Sequence, residues 1–216
     1  GREIIAALPR LTLIHSEGGT FNAIATAAAR ERGIFVCNNR GCNAVSVAEH
    51  TVMLMLMALR QGITGHQAVK AGEQIQFKER FMVSSAPELG EQTVGLIGLG
   101  DIGQAVARLL RPFSCKLYYY TAHRRPPELE VELGVTYLPL EELAAACDVL
   151  SLHCAVNEQT THMVNEAFLS HVKPGAILVN TARGQLVDNF AVRQALLDGR
   201  LGGVAIDTFD PEPTPA

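Results

Sequence analysis

Residues 94–110, VGLIGLGDIGQAVARLL, place three glycines inside one of the most apolar parts of the chain. The apolar run that ends at Gly98 predicts a buried strand, and the run that begins at Ile102 predicts an amphipathic helix. Gly98, Gly100 and Gly103 lie between the two and fit the pattern G-x-G-x-x-G. A strand-to-helix turn of this kind constrains the whole chain, because its strand needs further strands beside it and helices above it to be buried.

The same alternation of apolar runs and helical patterns continues along the chain and defines the fold class. Strands alternating with helices predict right-handed βαβ units around a parallel sheet. We therefore expect an α/β fold, with a Rossmann-type doubly wound parallel sheet over residues 42–216 and the tail of a second, smaller α/β domain over residues 1–41. The predicted strands are 10–16, 33–38, 93–98, 115–120, 135–138, 149–154, 176–181 and 202–207. The predicted helices are 3–8, 21–32, 46–61 (with Ser46 as its N-cap), 102–110, 140–146, 166–171 and 189–198, and residues 72–87 are predicted to be a connecting segment.

Composition and charge argue against several classes of protein. The formal net charge of −4 leaves no basic surface to pair with phosphates, so we expect no nucleic-acid partner. The longest apolar run, residues 52–59, is far shorter than the ~20 residues that a membrane span needs, so we expect no membrane partner. The five cysteines lack metal-ligand spacing, which predicts free thiols in a reducing cytoplasm and no metal site.

The glycine pattern gains weight from its position between a predicted strand and a predicted helix. Gly98 permits the tight turn, Gly100 lets a pyrophosphate approach the backbone, and Gly103 lets the helix pack closely on the strand. The N–H groups at the helix start, at Asp101 and Ile102, would then hold the phosphates. The alternative is a glycine turn with a purely structural role.

The residues after the predicted strand 115–120 bear on the choice of cofactor. Dinucleotide-binding folds that use NAD carry an acid here for the ribose 2′-hydroxyl, but this chain has Thr121, His123, Arg124 and Arg125. A hydroxyl followed by cationic side chains suits a 2′-phosphate, so we expect NADP(H) to be favoured. NAD(H) stays possible, with the arginines as a solvated loop. The missing acid also argues against an S-adenosylmethionine-dependent methyltransferase.

Further polar side chains follow predicted strands at the edge where doubly wound sheets bind ligands. Arg183 lies two residues beyond one strand, and a guanidinium there should have an anionic partner. That partner is either a ligand or a carboxylate of the chain itself, Asp188 or Glu212. Asp207 ends the last predicted strand, and Glu212 lies between two prolines in a stiff loop.

Two histidines and three methionines are interpreted as structural residues. His153 ends an apolar strand and His50 lies in an apolar helix, so each is predicted to be a satisfied, buried core residue. Met53, Met55 and Met57 are predicted to pack in the core or at an interface. No histidine of the sequence is assigned a catalytic role.

Six stretches of the chain together resemble the D-2-hydroxyacid dehydrogenase family, and the resemblance extends over nearly the whole sequence. Thr121 followed by basic residues matches the NADP-preferring glyoxylate and hydroxypyruvate reductases of that family. The resemblance implies hydride transfer between NAD(P)H and a small 2-keto acid, which gives a D-2-hydroxy acid. It also implies that residues 1–41 are the remnant of a substrate-binding domain. The stretches are RLTLIHSEGGTFNAI, RGIFVCNNRGCNAVSVAEHTVMLMLMALR, GLIGLGDIGQAVARLL, LHCAVNEQTTHMVNEAFL, KPGAILVNTARGQLVD and GGVAIDTFDPEP.

The resemblance implies roles for individual residues as well. Arg183 matches the arginine that binds the substrate carboxylate and carbonyl, and Glu212 matches the acid that pairs with the catalytic histidine, so these two are the implied catalytic residues. The cofactor-binding residues expected from the motifs and the resemblance are Gly98, Gly100, Asp101, Ile102, Gly103, Thr121, His123, Arg124, Cys154, Ala155, Thr160, Thr181, Ala182 and Asp207. The implied substrate-binding residues are Gly18, Gly19, Thr20 and Arg183.

The resemblance also has implications for the oligomeric state and for how much of the family's sequence this chain contains. The helix over 46–60 resembles the interdomain helix at the family's dimer interface, which implies a homodimer. The family's catalytic histidine lies in a PH motif beyond the acid, and the sequence ends at Ala216 before such a motif, so we expect a piece of a longer protein. Gly19 and Thr20 depart from the family's usual substrate loop, and Ala155 replaces a usual proline. Two alternatives stay open: a dinucleotide-sensing, corepressor-like binding protein, and a catalytically inactive cofactor-binding fragment.

Overall fold

The computed structural model describes residues 1–19, 21, 24–83 and 87–214. The chain divides into two compact units, Gly1–Ala44 and Val45–Ala216. The helices are α1 Arg2–Ala7, α2 Thr26–Glu31, α3 Ala44–Leu59, α4 Gly62–Lys70, α5 Gln74–Val83, α6 Asp101–Leu110, α7 Pro127–Leu133, α8 Leu140–Ala146, α9 Glu166–His171 and α10 Asn189–Leu197. The strands are β1 Leu13–Ser16, β2 Phe35–Asn38, β3 Thr93–Ile97, β4 Lys116–Tyr120, β5 Val135–Tyr137, β6 Val149–Leu152, β7 Ala176–Asn180 and β8 Leu201–Ile206.

The first unit is a pair of parallel strands with two short helices. β1 and β2 are hydrogen-bonded in register, with Leu13 opposite Phe35. α2 connects the two strands as the crossover that a parallel pair requires. Its core is small: among the described residues, the buried apolar cluster consists of Ile5, Ala28, Ala29 and Ile34.

The second unit contains a six-stranded sheet in the order β5-β4-β3-β6-β7-β8, in which every pair is parallel. The chain therefore builds outward from β3 to β5, returns to the other side of β3, and builds outward again from β6 to β8. This is the strand order of a doubly wound, Rossmann-type sheet. It confirms the fold class predicted from the alternating pattern.

Helices cover both faces of this sheet, and each face has its own apolar core. On one face, Val94 and Leu96 of β3 pack with Met55 of α3 and with side chains of α6. On the other face, Ile97 and Leu178 pack with side chains of α8, α9 and α10. Neighbouring residues of β3 point to opposite faces, so both of its faces are buried. That explains why this strand reads as a continuous apolar run rather than as an alternating one.

Two of the predicted helix starts are wrong. The helix predicted over 21–32 begins at Thr26, and residues 22 and 23 lie outside the described part of the chain. The helix predicted to start at Ser46 begins at Ala44, which puts Ser46 inside the first turn. The N–H of Ala44 donates to the Gly41 carbonyl at 3.0 Å, so a hydrogen-bonded turn immediately before Ala44 leads into the helix, and the helix starts earlier than predicted.

The segment over 72–87 is predicted to be a connection, but it contains the ten-residue helix α5. None of the residues of α5 is fully buried, so its sequence lacks the apolar stripe that would have indicated a helix. Aromatic contacts hold it instead. Phe77 and Phe81 stack at 5.7 Å between ring centroids, and the Arg60 guanidinium lies 5.2 Å from the Phe81 ring.

Candidate cofactor and substrate site

All six strands run parallel, so the loops after them leave the sheet at one edge, and five of these loops contain the predicted site residues of the second unit. They follow β3, β4, β6, β7 and β8 and flank the reversal of strand order between β3 and β6, where open α/β sheets bind ligands. Within residues 1–19, 21, 24–83 and 87–214, three buried side-chain polar atoms lack a hydrogen-bond partner: Arg125 Nε, His153 Nδ1 and Thr208 Oγ1. All three lie in these loops, which suits an edge that a ligand would complete.

The turn between β3 and α6 has the geometry that the glycine pattern predicts. Gly98 has φ of +109°, in the left-handed region, and its N–H donates to the Tyr120 carbonyl at 2.8 Å. A Cβ on Gly103 would lie 2.3 Å from the Gly98 oxygen, so the third glycine lets α6 pack on the turn. A Cβ on Gly100 would meet no protein atom within 4 Å. This open space above the backbone, at the N-cap of α6, fits the pyrophosphate of a dinucleotide.

The loop after β4 is built around the carboxylate of Glu130 on α7. The Arg124 guanidinium donates to it twice, from Nε at 2.8 Å and from Nη2 at 2.9 Å. The Tyr119 hydroxyl donates to the same carboxylate at 2.6 Å and accepts from the Arg125 N–H at 2.9 Å. One buried tyrosine therefore fixes the positions of both arginines, a role that the sequence pattern did not reveal because Tyr119 belongs to an apolar strand.

The charges of this loop are set by those contacts. The hydrogen bonds from Arg124, and then from Tyr119, lower the pKa of Glu130 to about 2, so Glu130 is ionised at neutral pH. The Arg124 side chain stays 60% exposed and keeps its third nitrogen, Nη1, outside these two contacts. Thr121 Oγ1 donates to the His123 carbonyl at 2.7 Å, which draws the predicted cofactor residues of this loop into one turn.

His153 follows β6 and touches the glycine turn. A Cβ on Gly98 would lie 2.6 Å from the backbone carbon of His153. Its Nε2 lies 2.9 Å from Ser151 Oγ, whereas Nδ1 is enclosed without a partner. Burial lowers the pKa of His153 to about 4, so the ring is neutral near pH 7. The prediction of a satisfied core histidine is therefore right for one ring nitrogen only.

Acid should destabilise the protein through His153. Its pKa is about 4 in the folded chain and about 6.5 for a solvated histidine, so between these two pH values the unfolded state binds a proton that the folded state does not. We expect wild type to lose about 1–2 kcal/mol more unfolding free energy between pH 7 and pH 5 than His153→Gln, which keeps a polar atom for Ser151. Urea unfolding at both pH values measures this. The exposed His66, changed to Gln, is the control, and equal losses in wild type and His153→Gln would contradict the prediction.

The remaining residues of this loop form a closed turn. Cys154 Sγ lies 3.6 Å from Met163 Sδ, and burial raises the pKa of the thiol to about 11, so it stays protonated. The Thr160 hydroxyl donates to the Ala155 carbonyl at 2.8 Å and accepts from the Asn157 N–H at 2.8 Å. Three predicted cofactor residues, Cys154, Ala155 and Thr160, thus occupy one turn beside His153.

The buried side chain of Asn180 shapes the loop after β7. Its Oδ1 accepts from the Ala182 N–H at 3.0 Å, and its Nδ2 donates to the Arg183 carbonyl at 2.9 Å. The next residue, Thr181, is also buried, and its Oγ1 lies 2.8 Å from Oγ1 of Thr51 on α3. Asn180 was not predicted as a site residue, although a polar side chain that closes an apolar strand is a signal for such a role.

Arg183 projects from this loop with an exposed side chain. Its Nη1 donates to the Ala182 carbonyl at 2.6 Å, and it forms no ion pair with any carboxylate in the described part of the chain. The Asp188 carboxylate instead caps α10, and Glu212 Oε1 accepts from the Phe209 N–H at 3.0 Å. The interpretation of Arg183 as an internal ion-pair partner of Asp188 or Glu212 is therefore wrong.

The loop after β8 brings the last predicted residues to the same edge. A Cβ on Gly184 would lie 2.2 Å from the Phe209 backbone carbon, so the loops after β7 and β8 are in close contact. Asp207 Oδ1 lies 3.3 Å from Nε2 of His50 on α3, and the two side chains are 50% and 40% exposed. The prediction that His50 is a buried core residue is therefore wrong, because its position on α3 faces a strand end rather than the core.

The predicted substrate loop belongs to the first unit. Gly18 and Gly19 follow β1, and a Cβ on either would meet no protein atom within 4 Å. Asn38 Nδ2 donates to the Gly19 carbonyl at 2.7 Å, which ties this loop to the end of β2. Thr20, the third residue of the prediction, lies outside the described residues.

The second unit thus has the strand order and the glycine turn of a dinucleotide-binding domain, and comparison with known proteins identifies its family. The family model described as D-isomer specific 2-hydroxyacid dehydrogenase, NAD binding domain, matches residues 52–216. The chain belongs to the D-isomer specific 2-hydroxyacid dehydrogenase family, as its motifs predicted. Its cofactor is a nicotinamide dinucleotide.

Individual relatives agree with this assignment. The chain is 39% identical over 214 residues to a formate dehydrogenase of Pseudomonas sp. (strain 101), covering 99% of this chain and 53% of that one. It is 36% identical over 213 residues to a glyoxylate reductase of Korarchaeum cryptofilum, covering 99% and 64%. It superposes on an Aquifex aeolicus D-lactate dehydrogenase, complexed with NAD and lactic acid, with a TM-score of 0.85 and 35% identity, covering 98% and 62%. The chain therefore spans between about half and two thirds of the length of these relatives.

The described residues contain neither a membrane-spanning helix nor a cluster of metal-ligating side chains. None of the helices there combines the length and the apolar character that crossing a bilayer requires. No group of three or more His, Cys, Asp or Glu side chains in that part of the chain is arranged to hold a metal ion. The five cysteines all carry free thiols.

Proposed function

We propose that this chain is the cofactor domain, with a part of the substrate-binding domain, of an NADPH-dependent reductase that converts a small 2-keto acid, such as glyoxylate or hydroxypyruvate, to the D-2-hydroxy acid. The observation that carries the proposal is Arg183, an exposed guanidinium without a carboxylate partner in the described chain, at the same edge of the sheet as the glycine turn. A planar guanidinium suits the two oxygens of a carboxylate and can also polarise the adjacent keto oxygen. The bound dinucleotide supplies the hydride.

Glu212 is proposed to pair with the group that donates the proton, which must reach the substrate together with the hydride. Its Oε1 accepts from the Phe209 N–H, which leaves the other oxygen for the imidazolium that donates the proton. None of the seven histidines of this sequence is assigned that role. This carboxylate favours keto acid reduction over formate oxidation, because formate gives up a hydride to become carbon dioxide and has no proton to transfer.

The test is oxidation of NADPH and NADH with glyoxylate or hydroxypyruvate, together with reduction of NADP⁺ and NAD⁺ by formate, measured on the whole protein of which this chain is proposed to be a part. Turnover with a keto acid would support the proposal. Turnover with formate alone would overturn the substrate class. Dinucleotide binding without turnover on any of these would overturn the reductase and favour a sensor or an inactive fragment.

The preference for NADP(H) is proposed to depend on the loop after β4. No acid directly follows that strand, and the Glu130 carboxylate, which contacts the loop, is engaged by Arg124 and Tyr119. Arg124 stays largely exposed beside Thr121 and His123, so it can meet a 2′-phosphate through its remaining N–H groups.

Replacing Arg124 with alanine is expected to weaken NADPH binding about 10-fold or more, because a charged hydrogen bond to the 2′-phosphate is lost. The affinity for NADH, which has no such phosphate, should stay within about twofold of wild type. Fluorescence titration of the two cofactors measures this. Arg108→Ala is the matched control, because Arg108 forms a similar exposed pair with Glu132 at 2.8 Å. The double variant Arg124→Ala/Glu130→Gln should bind NADPH as weakly as Arg124→Ala does. Recovery of NADPH affinity in it would mean that Arg124 only neutralises Glu130.

Domain roles and assembly complete the proposal. We assign the first unit to the substrate-binding domain and the second to the cofactor domain, in a cytoplasmic homodimer that contacts its partner through α3. An apolar groove of about 540 Å³ runs along α3, lined by Val52, Met53, Leu56, Met57, Leu109 and Phe113 together with Glu49 and Arg60. Met53 and Met57 are 46% and 37% exposed, which supports a second copy of the chain as the partner.

A further inference from the structure

Two neighbouring residues of α3 contact two different strand ends of the candidate site. His50 Nε2 lies 3.3 Å from Asp207 Oδ1, after β8, and Thr51 Oγ1 lies 2.8 Å from Thr181 Oγ1, after β7. The two strand ends are adjacent, because β7 and β8 pair and the Asp207 N–H donates to the Asn180 carbonyl at 3.0 Å. Helix α3 thus contacts both Asp207 and Thr181, which follow adjacent strands at the ligand-binding edge.

The hydroxyl hydrogens of this cluster can be assigned from the contacts. Thr51 Oγ1 lies 2.7 Å from the Val47 carbonyl, which can only accept, so the single hydroxyl hydrogen of Thr51 is donated there. Thr51 must then accept from Thr181, whose hydroxyl hydrogen is used in turn. Thr181 Oγ1 therefore offers only lone pairs to a ligand. In the described structure Asp207 Oδ2 has no partner, and a carboxylate oxygen also only accepts.

From this geometry we propose that His50 and Thr51 are positioning residues that make the nicotinamide end of the site an acceptor-only surface, specific for a carboxamide NH₂. The inference rests on the proposed function. There the loop after β4 takes the adenosine end of the dinucleotide, so we assign the nicotinamide to the other half of the sheet, where Thr181 and Asp207 are expected cofactor-binding residues. An amide nitrogen carries two hydrogens to donate, whereas a carboxylate in its place would carry none and would be repelled by Asp207. His50 fixes one oxygen of Asp207 and leaves the other for the ligand, and Thr51 removes the only donor that Thr181 has.

The test compares three ligands: NADP⁺, its nicotinic acid analogue with a carboxylate for the carboxamide, and 2′-phospho-ADP-ribose, which lacks the nicotinamide. We expect wild type to bind NADP⁺ at least about 30-fold more tightly than the nicotinic acid analogue. His50→Leu and Thr51→Val should each weaken NADP⁺ binding about 5- to 10-fold and so reduce the difference in affinity between NADP⁺ and the nicotinic acid analogue. Their affinity for 2′-phospho-ADP-ribose should stay within about twofold of wild type. His50→Gln and Thr51→Ser keep a donor and a hydroxyl and should bind like wild type.

Calorimetric titration of each variant gives these affinities, and thermal unfolding shows whether the fold is kept. A half-exposed pair such as His50 and Asp207 adds little to stability, so His50→Leu should unfold close to wild type. The matched control is His171→Leu, which breaks a His–carboxylate contact with Glu141, at 4.0 Å, that lies outside the loops of the site. It should leave all three affinities unchanged.

The outcomes separate this inference from the proposed function. If the variants lose affinity for all three ligands equally, or for none, the positioning role is overturned while dinucleotide binding stands. If wild type binds the nicotinic acid analogue as tightly as NADP⁺, the acceptor-only surface is overturned. If wild type binds neither NADP(H) nor NAD(H), the proposed function is overturned, and this inference with it.

Discussion

Replacing Arg183 with alanine is expected to lower kcat/KM for the 2-keto acid about 10³-fold and to leave the affinity for NADPH within about twofold. The guanidinium is the exposed cation of the loop after β7, and it has no carboxylate of the described chain to pair with. Its removal would leave the substrate carboxylate unpaired and the keto oxygen unpolarised, whereas the glycine turn that holds the pyrophosphate is formed by other loops. Steady-state kinetics and cofactor titration of the same preparation measure both quantities.

Two further variants show whether the loss belongs to substrate binding. Arg183→Lys keeps the charge but not the planar fork, so its kcat/KM should lie between those of wild type and the alanine variant. Arg200→Ala removes a guanidinium that donates to the Leu169 and Ser170 carbonyls, before β8 and away from the loops of the site, and should keep wild-type kinetics. An equal loss of cofactor affinity and turnover in Arg183→Ala would contradict a substrate role.

The sheet could be predicted from the sequence because its signals are local. Each strand of the second unit is a short apolar run, and each predicted helix after Thr93 appears within one residue of its expected bounds at both ends. The glycine turn is also local, since six consecutive residues specify a positive φ at Gly98, an open face at Gly100 and a close approach at Gly103. Such patterns are decided by neighbours in the chain, so the sequence displays them.

What could not be predicted depends on residues that are distant in the chain. Thr51 and Thr181 are 130 positions apart, and nothing in the apolar helix pattern of α3 marks a hydroxyl that contacts a strand end. His50 looks like a core residue for the same reason, because its contact with Asp207 exists only once α3 packs beside β8. Helix α5 was missed for a different reason. It buries no residue fully, so its sequence has no apolar residues repeated at helical spacing that would indicate a helix.

The glycine turn allows a prediction in which two similar substitutions have opposite effects. Gly103→Ala would put a Cβ 2.3 Å from the Gly98 oxygen, which is backbone and cannot move aside. We expect it to cost about 2–3 kcal/mol of unfolding free energy and to lower Tm by about 5–10 °C. Gly100→Ala would place its methyl group in open space at a φ of −81°, which alanine adopts freely, so Tm should be unchanged or slightly higher.

Binding should respond in the reverse order. The methyl group of Gly100→Ala would occupy the space that the pyrophosphate needs to reach the N–H groups of α6, so NADPH affinity should fall about 10²-fold in a fully folded protein. Gly103→Ala should retain more of that affinity than Gly100→Ala wherever it remains folded, because its methyl group points at the turn rather than at the ligand. Differential scanning calorimetry and fluorescence titration of both variants measure the two effects. A Gly100→Ala protein that bound NADPH like wild type would contradict the turn as the phosphate site, because the open face at Gly100 would then be space that no ligand uses.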